Sequence, residues 1–330
     1  MSVRSHILVA GAGGFIGHHL VNLLKDKGHW VRGVDLHHPE FSNTKADEFE
    51  VIDLRNFDNC MAACQGIDEV YQLAADMGGI GFITAHHASV FRNNALINLQ
   101  MLEAAKRARV DKYLYTSSAC VYPQCLQASP EVTALKESDA YPADAEAGYG
   151  WEKLMSELAS QYYREDYGLK THIVRFHNIF GPLGTYDGGR EKAPAALCRK
   201  IALLNNNDTV EIWGDGEQTR SFCYIDDCVE GLYRIMGSGY YDPINLGQDR
   251  LVTINELVDM IATVAAKKIL KKHNLDAPQG VRGRNSDNGK IFQLLNWTPQ
   301  ISLEQGLEIT YRWIKEDLAK ESRQDVDHGL

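Results

Sequence analysis

The chain has 330 residues, 44% of them hydrophobic and 24% charged, which excludes a disordered chain and a collagen-like repeat and allows one large domain or two. No run approaches the ~20 apolar residues of a membrane span. The formal net charge of −10 disfavours a nucleic-acid partner at long range, while a small anionic ligand can still be held by a few local Arg and Lys side chains.

The N-terminal MSVRSHILVAGAGG carries too short an apolar run for a secretory leader, so a cytoplasmic location is expected. Residues 6–10 (HILVA) read as a strand, 14–27 as a helix and 30–35 (WVRGVD) as a second strand. Strands follow at 69–75 and 112–117, with apolar residues at helical spacing over 87–109 between them. Residues 148–167 predict another helix and 171–176 a strand. This alternation predicts an α/β fold, a Rossmann-type doubly wound parallel sheet. After about Pro182 the texture changes. A Gly- and Pro-rich loop leads to a helix at 193–204, a strand near 210–213, helices at 226–236 and 254–266, and a polar loop at 277–288 expected to be exposed. A helix at 303–318 precedes a charged tail, 319–330, expected to fray. The division expected is a nucleotide-binding domain, 1–181, and a smaller C-terminal α/β substrate-binding domain, 182–330, with some chain crossing back.

Seven irregularly spaced cysteines contain no CxxC pair and read as reduced, mostly buried thiols. His37-His38 and His86-His87 lack partner ligands at metal-binding spacing, so no metal site is expected. Scattered aromatic residues give no stacking array for nucleic acid.

Three signals carry chemistry. Gly11, Gly14 and Gly17 follow the first strand and open a helix: a tight turn, a close approach for a pyrophosphate, and helix–strand packing. Asp35 ends the next strand, where an acid accepts from both ribose hydroxyls of NAD and repels the 2′-phosphate of NADP. Asp53 is read either as a contact to the adenine amino group or as an N-cap of the following segment. Tyr149 and Lys153 stand at i and i+4, on one helix face, where the ammonium is expected to lower the phenol's pKa for proton abstraction from a sugar hydroxyl. Ser117 and Ser118 end the preceding strand and can orient that hydroxyl. Past them no carboxylate follows; Cys120 offers a thiol base instead, or is a small buried hydrophobe. Lys192 is a candidate acid opposite it, or a solvated lysine.

These features, with RFHNIFGP at 175–182 and RSFCYIDD at 220–227, fall in the order of the extended short-chain dehydrogenase/reductase family, which the chain resembles over about residues 5–318. Ser221 departs from the acid of many relatives, implying a specialised substrate side. Long segments are similar to the branch of NAD-dependent sugar-nucleotide epimerases that acts on GDP-mannose: LAADMGGIGF (73–82), SSACVYP (117–123), GGREKAPAA (188–196), WGDGEQTRSF (213–222) and GVRGRNSDN (280–288). The resemblance implies epimerisation at C3 and C5 through a transient 4-ketone. Ser118, Cys120, Tyr149, Lys153 and Lys192 would be catalytic, and spacing alone leaves open whether Cys120 or Lys192 is the base. It places the cofactor NAD against Gly11, Gly14, Phe15, Ile16, Gly17, Asp35, Asp53, Leu73, Ala74, Ala75, Tyr149 and Lys153. It places the substrate against Gly78, Ser118, Ala119, Cys120, Asn178, Glu191, Lys192, Ala193, Lys200, Gln218, Arg220 and Arg282, the two arginines suiting a diphosphate. Asn178 as a turn cap and Lys200 as a solvated helix residue are the simpler readings of those two. A homodimer built on the helices at 87–109 and 148–167 is also implied. Two other enzymes remain open: a GDP-fucose-synthase-like epimerase-reductase, against which Asp35 and the absence of His in 183–192 argue, and a UDP-sugar 4-epimerase, which needs no Cys/Lys pair.

Overall fold

The computed structural model describes residues 4–328. In chain order the first half runs β1 (His6–Ala10), α1 (Phe15–Asp26), β2 (Trp30–Asp35), β3 (Glu48–Val51), α2 (Phe57–Cys64), β4 (Glu69–Gln72), α3 (Ile80–Ala85), α4 (His87–Ala108), β5 (Lys112–Ser118), α5 (Ala147–Tyr167) and β6 (Lys170–Phe176). The rest runs β7 (Ile179–Phe180), α6 (Ala193–Leu203), β8 (Thr209–Trp213), β9 (Thr219–Arg220), β10 (Cys223–Tyr224), α7 (Ile225–Met236), β11 (Ile244–Leu246), β12 (Val252–Thr253), α8 (Ile254–Val264), β13 (Leu270–Asn274), β14 (Gly283–Arg284), α9 (Gly289–Leu295) and α10 (Leu303–His328).

Seven strands form one parallel sheet in the order β11-β6-β5-β4-β1-β2-β3. Its central strands are buried along most of their length because helices cover both faces. Alternate residues feed two cores: Ile7, Val9, Val31 and Val174 on one face, Leu8, Ala10, Val34 and Ile173 on the other. Strand order reverses between β1 and β4, which opens a crevice at their C-terminal ends, where such sheets bind ligands. α5 ends at Gly168, whose φ of 72° gives the left-handed C-cap that a side chain disfavours. α8 opens with a capping box in which Thr253 and Glu256 satisfy each other's backbone N–H.

The parallel α/β architecture is the one the alternating pattern predicts. Three local expectations are corrected, and three elements went unpredicted. The strand expected over 69–75 ends at Gln72, because Leu73 and Ala74 leave it to lie against the turn after β1. β3, α2 and α3 are short elements without a strong period of their own. The 277–288 segment is not an exposed loop throughout: β14 joins β9, and Arg284, Asn285 and Ser286 are buried. The last helix continues past residue 318 to His328 rather than fraying, and residues 329–330 of that expectation lie outside the described residues. All seven cysteines are free thiols; six are buried and Cys125 is exposed.

Candidate active site

The turn after β1 is folded back on β2. Gly11 takes a φ of 86°, and the Gly11 and Ala12 amides donate to the Val34 carbonyl at 2.8 and 3.2 Å. A side chain at Gly17 would strike the Gly11 carbonyl, so glycine is what lets α1 begin this close to the strand. Asp35 accepts from the Gly13 amide at 2.9 Å and the Leu36 amide at 2.7 Å. A carboxylate has about four acceptor sites, so two remain for a ribose diol. α1 starts at Phe15 and Ile16 without a side-chain cap on its first turn, leaving its N–H groups open to an anion. The three glycines, the open helix start and the tethered acid fit an NAD pyrophosphate and ribose. Leu73, Ala74 and Ala75 pass over the same turn, Leu73 donating to the Ala10 carbonyl at 2.9 Å. Asp53 is bound by Arg55, 2.7 Å away, which holds its carboxyl below the usual range. The expectation that Asp53 caps the next helix is corrected: Asn56 caps α2, accepting from the Asp58 amide at 2.9 Å.

At the end of β5 the Ser118 hydroxyl accepts from the Cys120 amide at 3.2 Å, turning the chain through Ala119. Gly150 lets α5 pack on the Cys120 carbonyl, which any side chain there would strike. Tyr149 and Lys153 are thereby held one turn apart on a buried face, with the Ser118 hydroxyl near enough to favour the ionised phenol. Lys153 Nζ donates to the Thr116 carbonyl at 3.0 Å and lies 5.6 Å from the Tyr149 ring centroid. The lowering of the phenol's pKa expected from Lys153 is outweighed by burial. Burial pushes Tyr149 well above its ordinary value, with Ser118 and Arg284 opposing, and burial also pushes Lys153 down.

Cys120 is 8% exposed. Burial pushes its thiol up and Arg284 pulls it back. Lys192 heads α6 from a loop docked on residues 77–82: the Gly79 amide donates to the Arg190 carbonyl at 3.1 Å, and the Arg190 guanidinium stacks 3.9 Å from the Phe82 ring centroid. The Lys192 side chain is open to the cleft, yet the surrounding protein mass pushes its ammonium down, with the Cys120 sulfur acting in the opposite direction. Cys120 likewise acts on Tyr149 and Lys153, so one sulfur sits within electrostatic reach of both pairs.

Behind them stands a cluster of arginines. β14 and β9 pair in parallel with Arg284 beside Arg220. Arg220 is pushed down to about 10 by burial and by repulsion from Arg284 and Arg282. Arg282 is half-buried and forks onto Asp215 at 2.9 and 2.9 Å. The Gln218 Oε1 and Glu191 Oε2 atoms are buried with no hydrogen-bond partner among the described residues. Asn178, at a φ of 44°, donates to the Ser221 carbonyl at 2.9 Å, and Lys200 reaches the Glu211 carbonyl at 3.3 Å. Gly78 is buried next to the docked loop, and Ala193 opens α6. Two residues that sequence reasoning missed lie at the centre: Arg284, 3.5 Å from the Cys120 sulfur, and Glu146, 2.7 Å from Arg284. The alternation Arg282-Gly-Arg284 was a signal for a second inward arginine. Glu146 gave none, because only the fold brings it to Cys120.

A family model for the NAD dependent epimerase/dehydratase family matches residues 7–247. A GDP-mannose 3,5-epimerase of Arabidopsis thaliana is 46% identical over 98% of this chain and 86% of its own length. Among solved structures, a UDP-glucose 4-epimerase of Thermotoga maritima with UDP-glucose is 25% identical, with a TM-score of 0.83 over 95% of this chain and 99% of that one. A UDP-glucuronic acid 4-epimerase of Bacillus cereus, in complex with UDP-glucuronic acid and NAD, is 28% identical, with a TM-score of 0.78 over 94% of this chain and 99% of that one. With a glycine turn and a tethered acid that fit NAD, and a family match over most of its length, this chain belongs to the NAD dependent epimerase/dehydratase family.

Proposed function

We propose that this chain epimerises GDP-D-mannose at C3 and C5 through a transient 4-keto sugar, giving GDP-L-galactose, with GDP-L-gulose the product where C5 alone is inverted. The observation that carries the reading is the Cys120 thiol packed in one buried cluster with Tyr149, against the 77–82 segment on which the Lys192 loop docks. A 4-epimerase needs only the Tyr-Lys pair; a thiol and an amine facing the same cleft supply a second proton-transfer pair. Identity of 46% over 98% of the chain to a GDP-mannose 3,5-epimerase supports the same choice.

Bound NAD supplies a reversible two-electron oxidation of an alcohol carbon. Tyr149, oriented by Ser118 and backed by Lys153, takes the C4 hydroxyl proton and later returns it. The 4-ketone acidifies the C–H bonds at C3 and C5, because the enolate places its charge on oxygen. Cys120 and Lys192 then exchange a proton at each carbon, one removing and the other delivering from the opposite side. Arg220 and Arg282 take the diphosphate through charge-assisted hydrogen bonds, while Gly78, Ala119, Asn178, Glu191, Ala193, Lys200 and Gln218 line the sugar nucleotide. Residues 1–181 act as the cofactor domain and 182–330 mainly as the substrate domain, with β11 returning to the large sheet beside β6.

The setting is a cytoplasmic homodimer. α4 and α5 pack side by side and leave Phe91, Leu99, Trp151, Leu158 and Tyr162 exposed, a face suited to a second copy. Light scattering should give twice the 36.9 kDa chain mass, and a monomer at micromolar protein overturns the dimer. The activity is tested by incubating the chain with GDP-mannose and catalytic NAD in D₂O. Deuterium at C3 and C5 is expected. None at either carbon rejects the reading, and a stoichiometric need for reductant points instead to an epimerase-reductase.

A further inference from the structure

We propose that Glu146 is a positioning residue of this reaction: by holding Arg284 and accepting the Cys120 proton, it keeps the sulfur a protonated thiol at rest and a strong base when it ionises. The inference rests on the epimerase reading and extends it to a residue outside the Tyr149–Lys153 and Cys120–Lys192 pairs.

Glu146 immediately precedes α5, and its position is fixed from both sides. Its amide donates to the Cys120 carbonyl at 2.8 Å, and its own carbonyl accepts from the Gly150 amide at 2.8 Å. Its carboxylate takes Arg284 Nη2 at 2.7 Å, so the carboxylate and the Cys120 sulfur flank one guanidinium. Arg284 places Nη1 at 3.5 Å from the sulfur and anchors Nε on Gln127 at 2.6 Å. Glu146 is 8% exposed and Arg284 7%. The other titratable groups facing this trio are Tyr149, Lys153, Lys192, Arg220 and His177, and the Ser118 hydroxyl lies beside the sulfur.

Buried charge is costly unless compensated, and the trio is compensated in both of its states. At rest it holds one guanidinium, one carboxylate and a neutral thiol. When the proton passes from Sγ to the carboxylate, the S–H bond breaks and an O–H bond forms. The thiolate then faces the guanidinium, and the net charge is unchanged. After the sulfur takes a ring proton, the proton on Glu146 leaves to water in the cleft, and Lys192 recovers from water the one it delivered. Burial pushes the Glu146 carboxyl up, but Arg284 and the thiol outweigh it, so it is ionised and able to accept. Without Glu146, Arg284 would pair with the sulfur instead. A thiolate locked on a guanidinium is plentiful but weakly basic, and basicity drives proton abstraction from carbon.

The test is E146Q, with Cys120 alkylation by iodoacetamide followed by peptide mass across pH, and deuterium wash-in at C3 and C5 of GDP-mannose. We expect Cys120 in E146Q to alkylate at least about tenfold faster near pH 7, while wash-in falls about 10²-fold with little change in KM. A purely structural ion pair would not move these two readouts in opposite directions. Either one unchanged from the unsubstituted protein overturns the proposal. If E146Q does not fold, the unsubstituted protein decides alone: its Cys120 must ionise above the ~8.5 of a free thiol, and ionisation below that overturns it. Absence of wash-in with the unsubstituted protein would reject the epimerase reading instead, while the alkylation comparison would still test the trio.

Discussion

The cofactor crevice and the substrate cleft are built from opposite materials. The crevice depends on backbone: the turn at 11–17, an uncapped helix start and one carboxylate tied to that turn. The cleft depends on side chains delivered by distant segments. Cys120 comes from the end of β5, Tyr149 from α5, Lys192 from the loop before α6, and the arginines from β9 and β14. A backbone site fails by losing its shape, whereas a side-chain site can lose its chemistry while its shape survives. Substitutions in the two regions should therefore separate stability from turnover.

The largest effect is expected in the cleft. Y149F removes the phenolic proton acceptor and leaves the buried ring in place, so GDP-mannose turnover should fall by about 10²- to 10⁴-fold. NAD binding and the thermal midpoint should stay close to those of the unsubstituted chain. Turnover within tenfold, measured by product NMR, would remove Tyr149 from the reaction and break the contrast. In the crevice the order reverses. G17A pushes a methyl group into the Gly11 carbonyl, an overpacking that costs about 1–3 kcal/mol. A lower urea midpoint should appear together with weakened NAD binding. Unchanged stability would mean that the turn yields, and that the crevice is less rigid than its backbone contacts imply.

The same contrast explains what could be read from the sequence. Gly11, Gly14, Gly17 and Asp35 are short-range, and each residue type is dictated by a local backbone demand; the parallel sheet followed from the same kind of evidence. Tyr149 and Lys153 were legible because four residues make one helical turn. The cleft was legible only where long segments resembled relatives, and its electrostatics were not legible at all. Arg284 was passed over for Arg282 because strand pairing between β14 and β9 decides which arginine enters, and that pairing is between residues 64 positions apart. Glu146 lies among acids and alanines that suggest a surface loop, yet it is buried. The phenol of Tyr149 was expected low on the strength of one neighbour, and burial, a property of the whole fold, outweighed it.

The smallest effect belongs to the seam where the two regions meet. His177 follows β6, and its Nε2 faces Asn245 Oδ1 at 3.0 Å on β11, while its Nδ1 is buried with no partner among the described residues. Protonating Nδ1 would place an unpaired N–H and a charge in the interior. Burial therefore pushes this imidazole down to about 3, with Arg284 and Arg175 adding repulsion, although Asn245 acts the other way. The unfolded chain binds that proton near pH 6.5, so between 6.5 and about 3 it holds more protons than the folded one. The contribution to stability is full above pH 6.5 and is lost as the pH falls through this window, at about 1.4 kcal/mol per pH unit. His172, pushed down to about 4, adds a slope of the same sign. H177N should lower stability at pH 7, yet flatten the decline between pH 6 and 5 by about one proton's worth. Urea titrations at the two pH values supply the difference. A slope equal to that of the unsubstituted chain would mean that the imidazole is protonated in the folded seam, with an acceptor found for Nδ1, and the neutral buried ring inferred from its hydrogen bonds would be wrong.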